Sequence, residues 1–155
     1  MSEDNKEKSA QAAKLVRNHA IGAIAAGIIP IPLLDVGILG GIHMRMLSRL
    51  AKLYDVQFSE QRANAIIGSL LGISAAATAG GLLRFLPGVG RMFFSMGTLT
   101  ILPASTYALG HVFIKHFESG GTFLTFDPEK AKDDYDEKLV EGKRIAEDSF
   151  AGVKP

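Results

Sequence analysis

With 155 residues, 47% of them hydrophobic and 21% charged, the chain has room for one compact domain and too little charge for a disordered one. A net charge of +1, with no basic, aromatic-studded motif, excludes a nucleic-acid-binding face, so no nucleic acid partner is expected. Zero cysteines exclude a disulfide framework and a thiolate metal site, and a mean hydropathy of +0.18 leans towards membrane or deeply buried helices.

Most of the charge falls in the first 19 and last 40 positions, which hold 23 of the 33 charged residues. The first residues lack the basic start, short apolar core and small-residue cleavage site of a secretory signal, which predicts a cytoplasmic N-terminus. The first helix is predicted over about 8–29, with Lys14, Arg17 and Asn18 in a polar first half, small apolar residues from Ala20 onward, and a stop at Pro30. Pro32 suits the first position of a second helix reaching about Tyr54, and Asp35 falls in its first turn, where a carboxylate complements the helix dipole. Neither apolar arm, 20–29 or 32–42, reaches the roughly 20 residues of a complete crossing. Together they predict a re-entrant or half-buried helix pair.

The later part of the second helix is amphipathic. Leu39, His43, Met46, Leu50 and Leu53 share one face, which makes His43 a hydrogen-bonded core group, while Arg45, Arg49 and Lys52 line another. That basic stripe suits anionic lipid heads or an acidic partner, each cation contributing about 1 kcal/mol near a charged membrane, and equally a plain solvated face. Asp35, the other candidate buried polar residue, is read first as a local cap and second as an ion-passage group.

Ser59 and Glu60 read as the cap and first turn of a long helix. Residues 63–83 then carry no charge, and at 1.5 Å per residue they span about 31 Å, the thickness of a bilayer core. A second uncharged stretch, 92–114, returns across a loop holding Arg84, Pro87, Gly88, Gly90 and Arg91. Gly68, Gly72, Ala76 and Gly80 recur every four residues, and Gly97, Ala104 and Ala108 add small positions on the returning helix. Glycine costs up to about 1 kcal/mol in a helix, so this ladder predicts close packing within the hairpin, then between protomers, then along a pore. Pro103 is expected to kink the returning helix, with Thr98, Thr100, Ser105 and Thr106 satisfying the freed backbone groups.

Gly120 and Gly121 stop that helix, and Asp127-Pro128-Glu129 starts a last one over about 128–149, whose Ala131, Tyr135, Leu139, Ala146 and Phe150 form a docking stripe. All but Arg84 and Arg91 of the 17 Lys and Arg residues lie on one side of the hairpin, which places both termini in the cytoplasm. Phe85, Phe93 and Phe94 mark one predicted interface, and Tyr54, Phe58, Phe113, Phe117 and Phe123 the other.

The expected architecture is all-α: a membrane-type bundle with a re-entrant pair (8–54), a long hairpin (59–118) and an amphipathic C-terminal helix (128–149). As a domain it divides into a polar N-terminal segment (1–13), an apolar helical core (14–118) and a charged cytoplasmic tail (119–155). The competing reading is a soluble bundle with residues 63–83 as its buried centre.

Catalytic, cofactor and metal sites are not expected. Gly88-Val89-Gly90 lacks the Gly-Lys-Ser/Thr of a phosphate loop, and His19, His43, His111 and His116 include no pair at four-residue spacing.

In order along the chain, Ile29-Pro30-Ile31-Pro32-Leu33-Leu34-Asp35, the Met46 to Tyr54 segment, Leu83-Arg84-Phe85-Leu86-Pro87-Gly88-Val89-Gly90 and Ala104-Ser105-Thr106-Tyr107-Ala108-Leu109-Gly110 resemble the bacterial domain-of-unknown-function family 697. Phe117 to Gly121 and Gly142-Lys143 fit as well, so the resemblance covers about 14–146. His43 departs from the polar amide expected there. Members occur alone or attached to GTPase domains and are often inner-membrane proteins. The residues and the resemblance together point to a non-enzymatic bacterial inner-membrane protein in contact with the lipid bilayer, forming a homo-oligomer, partnering a GTPase, or both, the GTPase being implied by the resemblance alone. The alternatives are an oligomeric pore or transport element, with Asp35 and the Thr/Ser cluster as polar lining, and a soluble cytoplasmic all-α adaptor.

Overall fold

The structure, a computed structural model, describes residues 3–27, 34–76 and 97–151, with side chains over 3–24, 40–71 and 100–149. Five helices account for it: α1 (Glu3–Gly27), α2 (Leu34–Leu53), α3 (Glu60–Ala76), α4 (Gly97–Glu118) and α5 (Pro128–Ala151). No strand occurs among the described residues.

Local chemistry explains most of the boundaries. α1 begins at Glu3, five residues earlier than expected, because Glu3 and Asp4 suit the positive end of the helix dipole and Ala12 and Val16 give the polar stretch a buried stripe. α2 closes with Asp55 in the left-handed region (φ 56°), where the Val56 amide donates to the Ala51 carbonyl at 2.8 Å. α4 closes in the same way on Gly120 (φ 81°): the Gly121 amide reaches the His116 carbonyl at 2.9 Å and the Gly120 amide reaches that of Phe117 at 3.0 Å. Asp127 caps α5, its Oδ1 accepting from the amides of Glu129 and Lys130 at 3.1 and 3.3 Å.

α4 is the central element, packed on α1, α2 and α5. It runs antiparallel to α5, as the pairs Lys115–Asp134 and Tyr107–Glu141 show, and parallel to α2, through His43–Thr106 and Tyr54–Glu118. Two close crossings hold it. A Cβ on Gly110 would collide with the Val16 side chain of α1, and one on Gly142 would lie 2.9 Å from the Ala104 Cα, so both glycines are required by contact. The core around these crossings includes Val16, Met46, Leu50, Leu109, Phe113 and Tyr135.

The aromatics expected at a lipid interface have a different role. Phe113, Phe117 and Phe123 are buried, because the connector after α4 folds back and stacks Phe126 on Phe113 (4.6 Å, 7°) while Phe58 meets Phe123 edge-on at 5.5 Å. They cap the core from within. α4 passes through Pro103 as continuous helix, and the Ser105 and Thr106 hydroxyls both donate to the Leu102 carbonyl at 2.9 Å. They do not serve the carbonyl of residue 99, which lies four residues before the proline.

No helix among the described residues is long and apolar enough to cross a membrane. α4 ends in Lys115, His116 and Glu118, and the polar side chains Thr98, Thr100, Ser105 and Thr106 interrupt its first half. Of the expected hairpin, residues 77–96 lie outside the described residues, including its turn, Gly80, and Phe85, Phe93 and Phe94.

Candidate functional site

The helix directions give the molecule two unlike poles. Gln11 and Leu15 near the start of α1 share a hollow with Arg49, Lys52 and Leu53 near the end of α2, and Ile24 of α1 shares a groove with Pro103 of α4. The end of α1, the start of α2 and the start of α4 therefore meet at one pole. Within 20–27, 34–42 and 97–102 the only ionisable residue is Asp35. α5 runs alongside with Arg144, Glu147 and Asp148 exposed.

A collar of cations bounds this apolar pole. Lys14 and Arg17 on α1 and Arg45 and Arg49 on α2 stand one to two turns from it, all exposed, with Lys52 one turn further away. None of the five forms an ion pair among the described residues. Arg49 and Lys52 line a hollow with Gln11, Leu15 and Leu53, and both are exposed to solvent or a partner.

Between α1 and α5, over α4 as floor, runs an apolar groove of about 550 Å³. Its small wall residues, Ala10, Ala13 and Ala20 on one side and Gly142 and Ala146 on the other, leave the space that larger side chains would fill. Ile21 and Ile145 add apolar surface, 56% and 42% exposed. Lys14 and Arg17 line the α1 wall, and among the described residues no Asp or Glu lines the groove.

Tyr107 and His111 of the floor lie in ring contact with centroids 4.3 Å apart. The Tyr107 hydroxyl donates to Glu141 Oε1 at 3.0 Å, and Lys138 Nζ donates to Oε2 at 2.6 Å. These bonds, that from Lys138 foremost, hold the Glu141 carboxyl below its ordinary range, so its charge is already matched. Burial, aided by Lys138, lowers His111.

His43 is fully buried beside Thr106, with its Nε2 3.1 Å from the hydroxyl. The Thr106 hydroxyl hydrogen already goes to Leu102, so His43 Nε2 carries the proton and donates. Nδ1 is then a bare acceptor, and it has no hydrogen-bond partner among the described residues. Burial pulls the ring down from 6.5 to about 4, which keeps it neutral.

Of the other sequence-selected residues, Gly68 is exposed, and a Cβ built on it meets nothing within 4 Å. Gly72 and Ala76 lie in α3, Gly97 opens α4 and Asp35 lies in the first turn of α2, but their surroundings fall outside the described side chains. Gly80 lies outside the described residues altogether. No group of three His, Asp or Glu able to hold a metal occurs among the described residues. Sequence reasoning missed the contacts of Gly110 and Gly142 and the groove itself. A readable signal existed in two four-residue spacings of small residues, Ala104–Ala108 on α4 and Gly142–Ala146 on α5.

The family model described as Domain of unknown function (DUF697) matches residues 2–133. The chain belongs to this family. It is 34% identical over 140 residues to Magnetosome membrane protein 22 of Magnetospirillum gryphiswaldense, an alignment covering 87% of this chain and 72% of that protein. No solved structure matches. The DUF697 match takes in the collar and the α1 and α4 sides of the groove, and stops at residue 133. Gly142, Ile145 and Ala146, which form the α5 wall, lie beyond it.

Proposed function

We propose that this DUF697 chain is a non-catalytic, membrane-associated helical protein that sets its apolar pole into one face of a bilayer and its cations on anionic headgroups. The single observation that carries this reading is the polarity of the bundle. Three helix ends meet with one ionisable residue, Asp35, among them, and Lys14, Arg17, Arg45 and Arg49 stand just below with no ion pair among the described residues. Cations near an anionic surface contribute about 1 kcal/mol each, and apolar burial at the interface adds to this. The exposed Ile21 and Ile101 lie on this end of α1 and α4. The relative, a magnetosome membrane protein, supports the same class.

Flotation of the purified chain with vesicles tests this. The chain is expected to rise with vesicles containing phosphatidylglycerol, and to rise less with phosphatidylcholine alone or in high salt. A chain that stays at the bottom of the gradient with every vesicle would end the proposal.

Self-association is a second reading, favoured by the open, exposed face of α3 at Gly68. Gly68→Leu should then reduce the assembly mass in mild detergent while the monomer stays folded; an unchanged mass removes that face. The family resemblance adds a GTPase as partner class, to be sought by affinity isolation from native membranes.

A further inference from the structure

We infer that the groove between α1 and α5 is a binding site for a single anionic phospholipid, its headgroup at Lys14 and Arg17 and one acyl chain lying along Ala20, Ile24, Pro103 and Ile145 towards the apolar pole. The inference rests on the membrane reading above and adds to it a defined lipid, held by this site rather than by the membrane surface as a whole.

Length, shape and charge all point to this ligand. Lys14 to Ile24 on the α1 wall extends about 15 Å at 1.5 Å per residue, half of the roughly 30 Å hydrocarbon core and so the depth of one leaflet's acyl chains. The small side chains of Ala13, Ala20, Gly142 and Ala146 give the groove an extended apolar shape that an acyl chain fits.

The order of residues along α1 sets its orientation. The two cations come first, and Ala20, Ile21 and Ile24 follow on the way to the apolar pole. A lipid in the groove thus has the direction of the lipids in the adjoining leaflet. Its phosphate meets two cations that, among the described residues, have no counter-ion and share the groove with no carboxylate. Glu141, the carboxylate bonded to the floor residue Tyr107, is neutralised by Lys138 and does not repel the phosphate.

The test is native mass spectrometry of the full chain released in mild detergent from phosphatidylglycerol vesicles, run beside flotation of the same samples. One phosphatidylglycerol per chain is expected on the wild type. Lys14→Ala with Arg17→Ala should weaken retention about thirtyfold. Ala13→Phe, which crowds the headgroup end of the groove beside Lys14, should abolish it and still float, because all four collar cations remain, whereas the alanine pair, having lost two of them, should also float less. The alanine pair lies on exposed positions, so it keeps the test valid should Ala13→Phe fail to fold.

Full retention in the alanine pair would overturn the site, as would a wild type that floats but carries no lipid. A wild type that takes phosphatidylglycerol from mixed micelles but does not float would sink the membrane reading and leave the groove assignment standing.

Discussion

His43 shows how one side chain couples packing to pH. Its ring is neutral in the fold because burial holds it at about 4, against 6.5 when exposed. Between these values the unfolded chain binds the proton and the folded chain does not, so stability is complete above about pH 6.5 and falls as the pH drops towards 4. The loss is on the order of 3 kcal/mol by the lower limit, at about 1.4 kcal/mol per unit. Thermal melts at pH 7 and pH 4 should show it, and His43→Leu should flatten that part of the profile. Equal slopes in the two proteins would show that His43 is not the group responsible. The pattern of Leu39, His43, Met46 and Leu50 pointed to a core face; the bare Nδ1 did not follow from it, because that depends on where Thr106 spends its hydroxyl hydrogen.

At the scale of elements, helix ends were readable and helix contacts were not. Asp127-Pro128 and Gly120-Gly121 mark the ends of α5 and α4 through bonds made within a few residues, so local chemistry suffices. Small residues carry an ambiguous message. Gly68 and Gly142 both sit inside helices, but one faces open space and the other the α4 backbone. Gly142→Ala should cost about 1–3 kcal/mol in chemical denaturation, because the Ala104 Cα cannot move aside as a flexible side chain can. Gly68→Ala should be neutral or stabilise by up to about 1 kcal/mol, since its methyl meets nothing and alanine favours the helix. Equal effects at the two positions would contradict the packing described. The same ambiguity misplaced the aromatics: Phe113, Phe117 and Phe123 satisfy an interfacial-belt pattern, but the returning connector buries them together.

At the scale of the whole molecule, the collar is a property of no single helix. Lys14 and Arg17 belong to α1 and Arg45 and Arg49 to α2, and the antiparallel pairing of those helices sets all four beside one apolar pole. Replacing Arg45 and Arg49 by Glu should cut vesicle flotation and its salt sensitivity together, because screened charge interactions are what the two arginines would lose. Unchanged flotation would mark them as a solvated face.

The sequence by itself determined the all-α class, the stops of α2 and α4 and the start of α5, the clustering of charge away from the apolar stretches and the family resemblance. These rest on periodicity, capping chemistry and composition, which act over a few residues or need no neighbours at all. Only the tertiary structure decided which glycines are pressed against another helix, where the aromatics go and that α1 and α5 leave a groove over α4. Those outcomes depend on contacts between residues far apart in the chain, such as Val16 with Gly110 and Ala104 with Gly142, and no local pattern specifies which distant surface a small residue will meet.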